Sequence, residues 1–308
     1  SSSNVQTGLI ISNNQISGQY YSGLYLNYQA EFNVVGNTIS TSAGYTSYRG
    51  MYLNYTKNNG VIKNNAIDVN TTGCYAGIYV SRHSYYTPYQ DSLLVYNNTI
   101  SINATSGSNY GIYHNYSRTV QYYNNSINMY GNYTGSRAMY LSGSYDVILK
   151  NNILRNDAGG YAIYSSTTST YLTNDYNNLV SNGTYLGYIS GYRADLTAWQ
   201  TGSGEAVNSV SIDPAFNSNT DLHTYSIPMD NKGTPIAGIL TDMDGNVRST
   251  STPDIGAFEY TPPQNDIAII GVIQPAGGAI PLNTKQPVEL IFSNLGASNQ
   301  TYIPYVFS

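Results

Sequence analysis

Apolar residues in the first 184 positions come in short alternating stretches, separated by Asn, Gly and Ser, and nearly the same stretch recurs. One version is a small residue, an aliphatic, a tyrosine and a fourth residue. It reads GLYL at 23–26, GMYL at 50–53, GIYV at 77–80, GIYH at 111–114, AMYL at 138–141 and AIYS at 162–165. A period of two describes a β-strand with one buried face. It turns Leu24, Met51, Ile78, Ile112, Met139 and Ile163 inward, and Tyr25, Tyr52, Tyr79, Tyr113, Tyr140 and Tyr164 outward. His114 falls at an inward position that other repeats fill with Leu or Val, as expected of a hydrogen-bonded core histidine.

A second motif keeps step with the first: NNQI at 13–16, GNTI at 36–39, NNAI at 64–67, NNTI at 97–100, NNSI at 124–127, NNIL at 151–154 and NNLV at 177–180. Its second asparagines are Asn14, Asn37, Asn65, Asn98, Asn125, Asn152 and Asn178, spaced 23, 28, 33, 27, 27 and 26 residues apart. A recurrence of this length marks a solenoid. Leucine-rich repeats share the length and an asparagine ladder, but the Leu-x-Leu frame they need is missing. A second short strand precedes each Asn pair, with Ile11, Val34, Ile62, Val95, Tyr122 and Leu149 inward. The pattern predicts an all-β fold, a right-handed parallel β-helix of about seven coils, roughly 34 Å long at the spacing of neighbouring strands. The asparagine column serves the bend, because asparagine tolerates the left-handed conformation and its amide can bond the same residue one coil on. The insertions YTSYRG, RHSYYTPYQD and ATSGSNY are expected to bulge from one side.

The outward tyrosines admit two readings. They stabilise the solenoid by stacking on one another, or they form a flat aromatic face for sugars or another protein. Composition sharpens the second possibility. Charged residues make up 9% of the 308 residues, against about 25% in ordinary domains, and there are 34 tyrosines beside 5 phenylalanines and 1 tryptophan. Residues 1–200 carry nine basic and seven acidic side chains, and residues 201–308 three basic and ten acidic. No basic stripe exists, so nucleic acid is not an expected partner. No run of 18 apolar residues exists, so no membrane insertion is expected in this segment. The single cysteine, Cys74, reads as a small core filler.

From about 185 the repeat stops. Trp199, Asn208-Ser209, Asp213-Pro214-Ala215-Phe216, Asp221-Leu222-His223, Asp230 with Gly233, Asp242 to Arg248 and Asp254 to Tyr260 follow in that order. This succession resembles the carboxy-terminal wrap of bacterial cell-surface β-helix proteins with a DIGAFEY-type ending. The resemblance implies an irregular β cap that closes the end of the solenoid. Asp242, Asp244 and Asn246 space their oxygens as calcium loops do, although no bidentate glutamate follows. The loop is either a turn paired to Arg248 or a calcium site, and no other cofactor is expected. TPPQND at 261–266 is a linker by composition. The alternation after it resembles the first strands of the immunoglobulin-like sandwich that follows such solenoids in Bacteroidota surface proteins. The domain reading is therefore coils over 1–184, a cap over 185–260, a linker over 261–266 and an incomplete immunoglobulin-like unit over 267–308.

β-Helix enzymes such as pectate lyases and polygalacturonases cluster acids on one face. Here Glu31, Asp68, Asp91, Asp146, Asp157, Asp175 and Asp195 fall at different places in the repeat, and the carboxyl pair of a glycosidase is not evident. His83, with Arg82 and nearby tyrosines, is the one faintly site-like cluster. No enzyme is expected. The resemblance implies an extracellular, cell-surface adhesin segment, similar to the giant gliding-motility and surface adhesins secreted by the type IX system. Its partners would be cell or abiotic surfaces, polysaccharide, and further domains of the same long chain. The alternative is a secreted carbohydrate-binding or lyase-like β-helix protein.

Overall fold

A computed structural model describes residues 5–42, 46–85, 92–167, 171–274, 288–294 and 296–299. The repeat folds as a parallel β-solenoid of about six turns, one fewer than the seven asparagine motifs suggest. Three sheets line it. Sheet 1 has seven strands, from Ile10–Ser12 to Leu172–Asp175. Sheet 2 has seven, from Gln15–Ser17 to Asn178–Ser181, and sheet 3 has eight, beginning at Ser22–Asn27. Sheet 3 ends where Gly187–Ile189 meets Tyr192–Arg193 in antiparallel pairing, which stops further parallel stacking. That last parallel strand lies past residue 184.

The apolar positions stack in register. Leu24, Met51, Ile78, Ile112, Met139 and Ile163 align from coil to coil, and those from Met51 onward are buried. Each fully buried aliphatic contributes roughly 1.5–3 kcal/mol, so the core is an additive column. Tyr122 and Cys74 are buried in it.

The glycine of the tyrosine motif is there for close approach. A Cβ on Gly23, Gly50, Gly77 or Gly111 would lie 2.4–2.8 Å from a carbonyl oxygen of the next coil. It would also sit 2.5–2.6 Å from the Cγ2 of Ile39, Ile67, Ile100 or Ile127. Ala138 and Ala162 take the same place in later coils, so the corner relaxes toward the carboxy-terminal end.

The Asn-Asn bend between sheets 1 and 2 divides its work between two residues. The first residue takes the left-handed conformation: Asn13, Gly36, Asn64, Asn97, Asn124, Asn151 and Tyr176 have φ of 51–67°. The second builds the ladder. Asn14, Asn37, Asn65, Asn98, Asn125 and Asn152 each donate through Nδ2 to the Oδ1 of the asparagine one coil on, at 2.9–3.0 Å. The last rung is Asn177, not Asn178, because Tyr176 occupies the left-handed place and shifts the motif by one. Asn178 instead faces the cap, donating to the Ile212 carbonyl.

The insertions leave at different corners. Most of YTSYRG lies within the sheet 3 strand Thr46–Asn54, ATSGSNY joins sheet 2 to sheet 3, and RHSYYTPYQD joins sheet 3 to sheet 1, with residues 86–91 outside the described ones.

The cap does more than close an end. Helix α1, Leu196–Ser203, is capped by Asp195, whose carboxylate accepts the Ala198 N–H at 2.8 Å. Its Trp199 is fully buried and lies over Gly187, where a Cβ would be 3.0 Å from the indole. Val210 then bridges to Asn178 as one more parallel rung, and the Ser209 hydroxyl accepts the Asn177 N–H in place of a further asparagine. From there the chain turns back along the flank of the solenoid. The side chains of three successive first-position asparagines hold it: Asn151 to Thr234, Asn124 to Asp254 and Gly256, and Asn97 to Thr241 and Arg248.

After 261, Ile267–Gln274 pairs antiparallel with Glu289–Asn294. The rest of the expected sandwich falls at 275–287, 295 and 300–308, outside the described residues. No helix among the described residues is long and apolar enough to cross a membrane.

Candidate functional site

The outer surface of sheet 3 is the most distinctive one. Tyr25, Tyr52, Tyr79, Tyr113 and Tyr140 stack ring on ring at 4.7–4.9 Å, with interplanar angles of 6–17°. Parallel strands set this spacing, so each ring meets its neighbour without rearrangement. Such pairs are worth about 0.5–1.5 kcal/mol beyond burial. The stack breaks between Tyr140 and Tyr164, which meet edge-on at 83°. Arg137 sits at this break, its guanidinium over both rings, 4.5 and 4.3 Å from their centroids. Stacking then resumes from Tyr164 to Tyr188 at 4.5 Å, a rung the small-aliphatic-Tyr pattern misses because Gly187 directly precedes the tyrosine.

Mutual stacking changes what this face offers. Ring faces cover one another, so edges and hydroxyls point outward. Tyr25 at the first coil is 54% exposed, whereas Tyr79 in the middle is 9% exposed. Tyr75 and Tyr110 lean edgewise or tilted against Tyr79 and Tyr113 as a second layer. The flat aromatic platform that sequence suggests is therefore a column of ring edges, covered in its middle.

Two arginines complete the face. Arg49 lies 5.0, 4.7 and 5.6 Å from the ring centroids of Tyr52, Tyr75 and Tyr79. Arg137 also donates from Nη1 to the Tyr110 hydroxyl at 3.1 Å. Burial and then the neighbouring phenols push the Tyr75 hydroxyl up to about 12 and raise that of Tyr113 further, so both stay protonated at neutral pH. Beside sheet 3 runs a second column at the next corner, where Tyr28 stacks on Tyr55 at 5.2 Å and Arg82 covers Tyr55. Tyr28, Tyr55, Arg82 and Tyr116 all have φ of 45–56° there.

The histidines that sequence singles out are interior. His114 is fully buried between the Tyr122 hydroxyl and the Ser117 carbonyl, each at 3.0 Å. The carbonyl can only accept, so Nε2 carries the proton and the Tyr122 hydroxyl donates to Nδ1. Burial holds its pKa down at about 4, although the Ser117 carbonyl works the other way. His83 is equally buried beside Thr56, and burial, then His114, hold it down at about 3. Among the described residues, neither faces a solvent-open cleft with a nucleophile or an acid.

In the cap, the Asp-x-Asp-Gly-Asn loop does not fit calcium. Asp242 is buried, and its two oxygens accept the N–H groups of Asp244, Asn246 and Glu259 and the Asn246 side-chain amide. Asn246 thus presents nitrogen to Asp242, and Asp244 turns away to His223 at 2.9 Å. A cation cage needs those oxygens free and converging. Arg248 does not pair these acids. It bonds Glu259 at 3.3 Å, the Gly256 carbonyl at 2.9 Å and Asn97 of the solenoid at 3.0 Å. Of the DIGAFEY segment, Asp254 accepts the Asn231 and Tyr260 amides, Gly256 has φ of 102°, and the Ala257 amide donates to Ser126. His223, the third histidine, is clasped by Asp221 and Asp244 and stacks on Phe258 at 3.7 Å.

The solenoid acids are dispersed, and several are employed. Asp157 pairs with Arg155 at 2.6 Å, Asp175 accepts from Asn208, and Asp195 caps α1. Asp91 lies outside the described residues. Among those described, no three His, Cys, Asp or Glu side chains are grouped so as to hold a metal. Compared with known proteins, the chain matches no family model and no curated sequence.

Proposed function

We propose that this chain is a non-catalytic structural and adhesive segment of a large extracellular protein at a bacterial cell surface. Its contact face is sheet 3 with the adjoining corner column. The observation that carries this reading is how the repeat spends its polar groups. Asparagines hold coil to coil, buried histidines hold the core, and a column of stacked tyrosines lies with Arg49 and Arg137 on the outer surface of sheet 3. That division gives a stiff rod with a laterally repeated face, which suits attachment.

The finer attribution rests on the resemblance of the cap. It places the chain among the gliding-motility and surface adhesins of Bacteroidota exported by the type IX system, and reads the hairpin after 267 as the start of an immunoglobulin-like module. The test is the native length of the parent polypeptide, by mass and by electron microscopy of shed surface material, together with attachment of the purified chain to cells and to glass. Filaments built from chains of thousands of residues, and attachment that survives washing, support the adhesin. A compact secreted protein that binds polysaccharide without attaching to surfaces would favour the alternative, a secreted carbohydrate-binding β-helix.

A further inference from the structure

The outer surface of sheet 3 is chemically one-sided. Its strands, from Ser22–Asn27 to Tyr192–Arg193, contain no aspartate or glutamate, yet they carry Arg49, Arg137 and Arg193. Arg193 is occupied, donating to the Ile189 carbonyl from two nitrogens. Arg49 and Arg137 are not matched by acids. Arg49 donates from Nη1 to the Ser47 carbonyl at 3.4 Å, but neither arginine makes an ion pair among the described residues, and the Nε–H of each is buried without an acceptor there. Partly desolvated guanidinium groups that lack a carboxylate are costly to hold, and an incoming anion relieves that cost.

The phenols point the same way. The Tyr110 oxygen accepts from Arg137, and the Tyr79 oxygen accepts from Asn115 Nδ2 at 3.1 Å. Each phenol's own proton is left to donate elsewhere. With the ring faces consumed by stacking, the surface has little to offer the apolar face of a neutral sugar. It has hydrogen-bond donors and two cations. Arg49 and Arg137 occupy one register column, which runs Arg49, Ala76, Tyr110, Arg137. They stand three strand spacings apart, about 14 Å along the axis.

From this we infer that sheet 3 is a lengthwise binding face for a linear anionic polysaccharide. Sulfate or carboxylate groups sit at Arg49 and Arg137, and the chain lies along the tyrosine edges between them. The inference rests on the reading of sheet 3 as the contact face, and it names the ligand chemistry. Carboxylate and sulfate share that chemistry, and the test separates them. The chain's overall negative charge disfavours indiscriminate polyanion binding, and the local arginines supply the exception.

The experiment uses the full chain and three polymers on one backbone: dextran, carboxymethyl-dextran and dextran sulfate. Single-stranded DNA serves as a non-glycan polyanion. Affinities are measured at about 50 and about 200 mM salt, where a polyanion contact weakens steeply. The expected result is salt-sensitive binding of one or both charged dextrans, with dextran at least tenfold weaker. Arg49→Gln with Arg137→Gln should lower affinity by roughly tenfold or more, since each arginine gives charge-assisted bonds. Arg49→Lys with Arg137→Lys keeps the cations over the rings, so it should retain most of the salt sensitivity. This second pair keeps the test usable if the glutamine pair unfolds.

Binding of neutral dextran as tight as that of the charged forms would overturn the inference. So would DNA binding as tight as dextran sulfate, or undiminished affinity in a folded glutamine variant. Attachment to cells and glass is scored separately in the same variants. If polysaccharide binding fails while attachment persists, only the ligand assignment falls. If attachment fails as well, the contact-face reading falls with it.

Discussion

Acid should weaken this protein through two histidines that the fold keeps neutral. An unfolded histidine titrates near 6.5, but burial holds His114 to about 4 and His83 to about 3. Between those limits the unfolded chain binds protons that the native chain refuses, so stability falls as pH falls. At pH 4.5 each histidine is about two pH units below its unfolded value. That costs about 2.7 kcal/mol apiece at 1.36 kcal/mol per unit, and about 5 kcal/mol together, a large part of the 5–15 kcal/mol typical of a domain. His114 can be tested without leaving a gap. Other coils carry Leu26, Leu53 and Leu141 at its position, and an apolar side chain at that of Tyr122. The variant His114→Leu with Tyr122→Phe removes both partners of their hydrogen bond. The Ser117 carbonyl still accepts the Tyr145 N–H at 3.2 Å. Urea unfolding at pH 7 and pH 4.5 should show the variant losing about 2–3 kcal/mol less than the wild type on acidification. The carboxylates are the same in both proteins, so the difference isolates the histidine. Equal losses in the two proteins would refute the reasoning.

The two asparagines of one bend should differ sharply. Asn65→Ala removes donors to Val34, Lys63 and Asn98 and an acceptor for Asn37, and should cost about 3–5 kcal/mol, whereas Asn64→Gly, at φ of 54°, should change stability by under about 1 kcal/mol in the same denaturation assay. Arg248→Met leaves the Glu259 carboxylate without its cation and the Asn97 Oδ1 without its donor beneath the cap and should cost about 3–5 kcal/mol, read as faster proteolysis within 217–260 while the coils resist. Trp199→Ala opens the end of the core and should lower stability by about 3–5 kcal/mol in thermal unfolding. Millimolar calcium or a chelator should leave the melting temperature unchanged, since the Asp242 oxygens are already taken; a rise of several degrees would show that the loop rearranges around the ion.

What the sequence made legible is what repeats. The inward aliphatics and the outward tyrosines recur every 23–34 residues, and a column is visible because each coil writes it again. The last ladder rung was misplaced because a tyrosine, Tyr176, adopts the left-handed conformation there, which residue type rarely announces. Tyr188 was missed because the strand Gly187–Ile189 drops the aliphatic before the tyrosine. The partly covered state of the tyrosine face depends on Tyr75, Tyr110 and the two arginines, whose positions do not repeat. The path of 217–260 was illegible for another reason. It is set by side-chain bonds from Asn97, Asn124 and Asn151 to residues 83–151 positions away, and no local pattern encodes such bonds.

The same three asparagines divide the solenoid into an exchangeable part and a fixed part. Every rung makes the same ladder bonds to the next, so a whole coil can be duplicated or deleted without changing its neighbours' partners. The bends at Asn97, Asn124 and Asn151 lack that freedom, because the returning segment reads their spacing as a template. Length variation among such chains would therefore accumulate in the coils before Asn97. Recombination between the repeats there would lengthen or shorten the reach of the rod, while the measured-off carboxy-terminal block is inherited whole.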